Sequence, residues 1–455
     1  SVTAGGDISQ SAAFDISGTS TFSAAGQDVT LDEANEFGGA VSVTAASASL
    51  TADAAVNLGA STVTNALSLT TTTGGITQSG VVNAGSTIFD AAGNVAVNNT
   101  LNAGNSLTIT AGGPITQTGA ITTSGLADFT TRNDAGAAII LGGTNSFGSV
   151  AASVRNAANT ANANAGITIA EANDTQLAGN LRTAAGQTVS ITSAGSITQT
   201  AAALTAAGNV SLTAGGPTRS ITLESANAVS GSIGFNAATV SFENTGNTAL
   251  RTSTVTCDLT VQSTGAITQT SALTVGGDAS FTAGANQSIT LGANNTFGGD
   301  VTFASTGTLG SVTVVDTTAL TLQPMTLSGN LTATGASIST GTISVGGYLA
   351  LTAASGGIDQ TGALQVTGGS TFTAAAGQSI LLGQDNVFTG SVSFVGDGGN
   401  LNDVTIRDLS DLSLSTMTIG GDLTVNAAAI TSQALTVDGA LDFTATAGDI
   451  SQTGA

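Results

Sequence analysis

The sequence predicts an all-β chain, a right-handed parallel β-helix built from internal repeats. Three observations carry this: the chain repeats itself, its apolar residues alternate with polar ones over short runs, and glycine-rich turns separate the runs. Self-similarity over tens of residues marks a repeat architecture, and it has to be settled before any local element is assigned.

The repeat is clearest between Gly265 and the C-terminus. Ile267, Ile358 and Ile450 head successive copies, 91 (358 − 267) and 92 (450 − 358) residues apart, and Met325 and Met417 are also 92 apart (417 − 325). The most regular copies span 265–356 and 357–448, and 150–260 is less regular. We read 1–455 as one continuous β-solenoid segment of a longer array, because Ser1–Ile8 (SVTAGGDI) corresponds to Phe443–Ile450 (FTATAGDI).

Two markers run along the chain. G-x-I-[ST]-Q or a close variant occurs at Ile8, Ile76, Ile115, Ile197, Ile267, Ile358 and Ile450, and N-x-F followed by Gly or Thr occurs at Phe37, Phe147, Phe297 and Phe388. Each Phe follows one of the Ile markers by 29 (37 − 8), 32 (147 − 115), 30 (297 − 267) or 30 (388 − 358) residues. Successive Ile markers are as little as 39 (115 − 76) and as much as 92 residues apart, as insertion and deletion of whole sub-units would produce.

Within one copy the alternation is that of strands with one buried face: Leu273 and Val275, Ile289 and Leu291, Val301 and Phe303, Val312 and Val314, Leu349 and Leu351. Gly-Gly-Asp at 276–278 and 420–422 and Gly-Ala-Asn at 292–294 supply turns. Thr, Val, Ser, Asn and Gly dominate, and no stretch keeps apolar residues at helical spacing for more than a turn. Runs recurring every 8 to 12 residues imply coils of roughly 20 to 30 residues. At the shorter figure that is about 22 coils, or roughly 110 Å at ~4.8 Å per strand. Ile267 and Ile358 should then face the core, Asn295 and Asn386 are candidates for a ladder of stacked turn residues, and Phe14, Phe22, Phe37, Phe281, Phe297 and Phe372 are interior fillers. Polar stretches at Val154–Asn164 and Thr245–Thr252 are expected as surface excursions, and Cys257 as a small buried apolar residue.

Composition excludes several functions. The chain has 28 acidic residues against 6 cations, all Arg, with no Lys or His and a net charge of −22. Such a surface repels phosphate backbones, so no nucleic-acid partner is expected. Without Lys no phosphate-binding G-x-x-x-x-G-K-[ST] loop exists. One cysteine permits neither an intrachain disulfide nor a thiolate zinc cluster. The apolar runs fall far short of the ~18 residues of a membrane span.

The recurring sentence G-x-I-T-Q-T-G-x-L-x-V-x-G, F-T-A-x-x-G-x-x-I-x-L, N-x-F-x-G-x-V resembles the repeats of filamentous-haemagglutinin-like exoproteins and related giant bacterial surface adhesins. The resemblance covers essentially the whole chain and implies a secreted, surface-attached β-helical shaft.

Parallel β-helices also include polysaccharide lyases and hydrolases, which need clustered carboxylates on an exposed face. The best cluster is Asp397, Asp403, Asp408 and Asp411 with Arg407, which we read as a solvated loop. Asp32, Glu33 and Glu36 form a second acidic patch, where Ca²⁺ binding would be weak and superficial. The Gly-Gly-Asp triplets lack the full nonapeptide of calcium-binding β-rolls. No catalytic, cofactor-binding or metal-binding residue is assigned, and no enzyme activity or cofactor is expected. The reading is a structural extracellular or cell-surface protein: the shaft of a filament or adhesin acting as a rigid spacer. Its expected partners are neighbouring repeats of the same longer chain, with lateral self-association or surface glycans beyond them. The alternatives are a self-assembling sheath, surface-layer or fibre subunit, and a carbohydrate-binding or carbohydrate-cleaving β-helix.

Overall fold

The computed structural model describes residues 1–454. Among these there is no helix; short strands are joined by turns, and the pairings between named strands are parallel, most strands being bonded to a counterpart in the coil before and another in the coil after. This is a parallel β-helix built from repeats. The strands fall into two compact units, Ser1–Ala237 and Ala238–Ala455.

Register shows how alternation becomes a core. In the second unit Val261, Phe281 and Phe303 stack in successive coils with their side chains inside, while Thr260, Ser280 and Thr302 stack one residue away on the outer face. A one-residue slip would exchange the two sets, so the period-two pattern fixes the register. Ile338, Ile358 and Ile380 form another inner column, each 1 % exposed or less. One coil takes 22 residues from Ile267 to Ile289 (289 − 267), 23 from Ile289 to Val312 and 18 from Leu331 to Leu349. The Ile markers at 76, 115, 197, 267 and 358 are at most 1 % exposed and Ile8 is 7 %, as the marker reading requires. Ile450 is 52 % exposed: it pairs with Ile430 on one side, and no described strand covers its other side.

Phenylalanines pack against one another inside the coils. Phe281 stacks on Phe303 at 5.9 Å and meets Phe297 edge-on at 6.2 Å; Phe372 repeats this with Phe394 at 5.6 Å and Phe388 at 5.9 Å. Of the predicted fillers Phe22, Phe37, Phe281, Phe297 and Phe372 are buried, and Phe14 is half-buried against Phe22.

One turn recurs with the same chemistry. Gln27, Gln187, Gln287 and Gln378 each donate their N–H to the carbonyl three residues back, and the intervening residue is left-handed: Gly26, Gly186, Asn286 and Gly377. Asn is the side chain best suited to replace glycine there. Close approach between coils is the other demand on glycine. A Cβ at Gly284 would lie 1.9 Å from the carbonyl oxygen of Thr264 in the coil before. Gly284→Ala is therefore expected to cost about 1 to 3 kcal/mol through displaced backbone; a melting temperature equal to wild type would refute that contact.

Two sequence expectations are corrected. Thr245–Thr252 is not an excursion: its centre is the strand Thr248–Leu250, paired with Ile267–Gln269, with Thr248 and Leu250 buried. Cys257 is exposed rather than buried. The chain turns directly after Val255, so the in–out alternation does not continue, and Asp258 reaches the next coil to accept the N–H of Asp278 at 3.0 Å. Cys257 should accordingly react completely with a maleimide in the native state, a labelling yield that mass spectrometry reads; protection until unfolding would contradict this placement. The other excursion stands, with Ala157–Ala161 exposed and closed by an antiparallel bridge between Arg155 and Asn162.

Candidate functional site

The most organised polar groups among the described residues sit at the coil corners, each a buried Asn facing a half-buried Gln. The Gln of the Ile marker and the Asn of the second marker face each other across adjacent coils and exchange two amide hydrogen bonds. Gln269 Nε2 donates to Asn295 Oδ1 at 2.8 Å and Asn295 Nδ2 donates back to Gln269 Oε1 at 3.1 Å. Gln360 and Asn386 do the same at 2.8 and 3.0 Å, Gln10 and Asn35 at 2.9 and 3.1 Å, and Gln117 pairs with Asn145. The Gln-to-Asn separation, 26, 26, 25 and 28 residues in these four pairs, is thus the length of one coil plus a few residues.

Each Asn does more than hold its Gln. Asn386 Oδ1 also accepts the N–H of Leu364 (2.8 Å), while Nδ2 donates to the carbonyl of Leu382 (3.1 Å), four residues back, and to that of Arg407 (3.0 Å) in the coil beyond. Asn295 repeats the set with Leu273, Leu291 and Val315, and Asn145 with Ile121, Leu141 and Ala170. The ladder register shifts between Leu31 and Asn35, Leu141 and Asn145, Leu291 and Asn295, and Leu382 and Asn386, so backbone groups there lose their strand partners. The amide replaces those partners at a bend, where unmet buried groups would be costly. Asn295 and Asn386 therefore do not stack on one another as the ladder of turn residues expected from sequence; Asn295 pairs in register with Asp316 and Asn386 with Asp408. Both are fully buried and each bridges three coils by itself.

A buried acid lies beneath three of these corners. Glu171, Asp316 and Asp408 pair in register with Asn145, Asn295 and Asn386 and accept the N–H of Phe147, Phe297 and Phe388. Ala52 occupies this place after Asn35.

Asp408 thereby leaves the sequence-predicted acidic cluster, which the fold does not assemble. It is 2 % exposed, against the solvated loop expected for it, because the in–out alternation of Val404–Asp408 turns it inward. Asp403 accepts the N–H of Asp422, Asp397 and Asp411 are exposed, and Arg407 pairs with Asp385 at 2.7 Å. Asp32, Glu33 and Glu36 are all exposed. Among the described residues no group of three His, Cys, Asp or Glu is placed to hold a metal ion. The triplet aspartates cap turns: Asp7, Asp278 and Asp422 each accept a backbone N–H from the following coil.

The concave surfaces carry little chemistry. A groove of about 540 Å³ between Phe303 and Met325, where Pro324 interrupts the ladder, is lined by Thr326, Ser344 and Gln365 and by no ionisable side chain. A smaller one of about 300 Å³ holds Asp90 and Arg132 among threonines. Burial pushes the Asp128 carboxyl up from its ordinary range, and Asp128 stands between Thr108 and Ala151 in the neighbouring coils.

The family described as Repeats of unknown function (DUF5649) matches residues 1–44, 45–103, 96–154, 163–236, 237–304, 309–355, 336–395 and 401–455. The chain belongs to this family. No curated protein and no solved structure matches it. The boundaries of the DUF5649 repeats agree with the corners: 1–44, 96–154, 163–236, 237–304 and 336–395 each contain one complete Gln–Asn pair. The pair in 163–236, Gln199 with Asn227, was not visible as a marker because Val229 stands where the others have Phe. In the DUF5649 repeat 45–103 there is no Asn corner, and Gln78 instead bonds the backbone of Thr100 and Asn99.

Proposed function

We propose that this chain is a non-enzymatic structural segment of an extracellular bacterial filament or adhesin, a β-helical shaft of the filamentous-haemagglutinin-like kind that serves as a rigid spacer. What carries the reading is where the polar chemistry is spent: the amides and acids with the most hydrogen bonds are buried and tie coil to coil, as in the four partners of Asn386. A shaft needs resistance to local opening, and each corner couples three coils, so opening one costs the bonds of its neighbours. The surface supports the same reading. With 28 acidic residues, no Lys and a net charge of −22, it is repelled by anionic cell surfaces and by other copies of itself.

The test is immunogold electron microscopy of cells producing the native protein with an antibody against 265–448. Label along fibres outside the cell envelope, on isolated fibres one chain wide, is expected. Label confined to the cell interior would overturn the reading. Label over a continuous coat would replace the spacer by a self-assembling sheath.

A further inference from the structure

We infer that the acid beneath the Asn145 corner, Glu171, is a pH-dependent latch, built to loosen as the medium turns alkaline because it lacks the donors that its counterparts Asp316 and Asp408 have. The three acids occupy the same place in the coil, are 5, 3 and 2 % exposed, and each accepts the N–H of a corner phenylalanine. They differ in their other donors. Asp316 also accepts from the N–H (3.2 Å) and hydroxyl (3.0 Å) of Thr318, and Asp408 from the N–H (3.0 Å) and hydroxyl (2.8 Å) of Ser410. The sequence reason is Asp-x-[ST], which bends a donor pair back onto the carboxylate and stabilises its charge.

Glu171 is followed by Ala172 and Asn173 and has no such pair. Its Oε2 accepts from Phe147 at 3.2 Å, and its Oε1 is buried with no partner. The strands that pair with Ile167–Glu171 bring no compensating charge. Ile139–Arg155 carries Arg155, whose guanidinium donates to Asn159 and Asn162, and Thr188–Ser193 has no ionisable side chain. Asp174 accepts the N–H of Ser196 and lies 3.9 Å from Arg219. A carboxylate at this place is a charge out of water with one donor, so the neutral acid is preferred.

Burial accordingly pushes Glu171 from 4.5 up to about 8, against the pull of the Phe147 N–H. Asp408 is also raised by burial, with the Ser410 and Phe388 donors opposing and the charge of Asp411 adding to it. Because the folded value lies above the unfolded one, the stability contributed by neutral Glu171 is complete below the unfolded value and is lost as pH rises through about 8. The loss falls on the corner of Asn145 and Phe147.

The test is thermal melting of the whole chain at about pH 6 and pH 9 for wild type, Glu171→Gln and Asp408→Asn, with a carbon-13 NMR titration of the wild-type glutamate carboxyls. The expected result is a wild-type melting point that falls from the lower to the higher pH, a fall absent in Glu171→Gln and kept in Asp408→Asn, and one glutamate titrating near 8. An undiminished fall in Glu171→Gln, or glutamates that all titrate in the ordinary carboxylate range, would overturn the proposal. If Glu171→Gln does not fold, the wild-type titration decides it.

Discussion

Asn386→Ala should destabilise the unit Ala238–Ala455 by roughly 4 kcal/mol, more than truncating an apolar residue of the same size would. The substitution removes the amide that Gln360 pairs with and leaves the Leu364 N–H and the carbonyls of Leu382 and Arg407 without that partner, in a place that is fully buried. Each stranded buried group costs about 1 to 3 kcal/mol, and water entering the new space recovers part of it. Asn386→Asp should be at least as harmful, because an oxygen would replace Nδ2 opposite the Leu382 and Arg407 carbonyls. Hydrogen exchange would show the cause as well as the size: protection should fall at Leu364 and in the strands Ile380–Phe388 and Val404–Asp408 before it falls elsewhere. A loss below about 1 kcal/mol would mean that the corner is decoration on coils already stable without it.

The second large effect is expected at the Ile marker. Ile358→Asp should cost on the order of 5 kcal/mol, since it removes an isoleucine that is 1 % exposed and leaves a carboxylate in the column between Ile338 and Ile380. Ile267→Asp should behave alike from its place beside Ile289. The conservative change Ile358→Val should cost only about 1 kcal/mol, which separates charge burial from loss of volume. Melting by circular dichroism reads all three, and an Asp variant that melts with wild type would mean that the marker faces outward.

Much of this was legible in the sequence, for a physical reason. In a parallel coil stack every residue meets its counterparts about one coil away, so the repeat period and the in–out alternation together define the register. Ile267, Ile358 and the phenylalanines were placed by that logic alone. The corner was half legible. The markers around Ile267 and Phe297 announced a fixed relation, yet which residues touch depends on the coil length, and 22 residues from Ile267 to Ile289 could not be counted before the strands were seen. Asn295 therefore looked like an ordinary turn residue. The acids were hidden for a related reason. Asp408 lies among exposed aspartates in the sequence, and only the inward phase of Val404–Asp408 separates it from Asp403 and Asp411. Cys257 and Thr248–Leu250 show the opposite limit: where a turn comes one residue early, alternation cannot be carried across it.

The account stands or falls on coils stacked in parallel within each unit. Electron cryomicroscopy of the native material at a resolution that separates strands tests this most directly. The prediction is strands perpendicular to the coil axis at ~4.8 Å spacing, with density for the Gln360–Asn386 bridge at the corner of the coil. Strands running along the axis, or antiparallel hairpins with Asn386 at the surface, would contradict it.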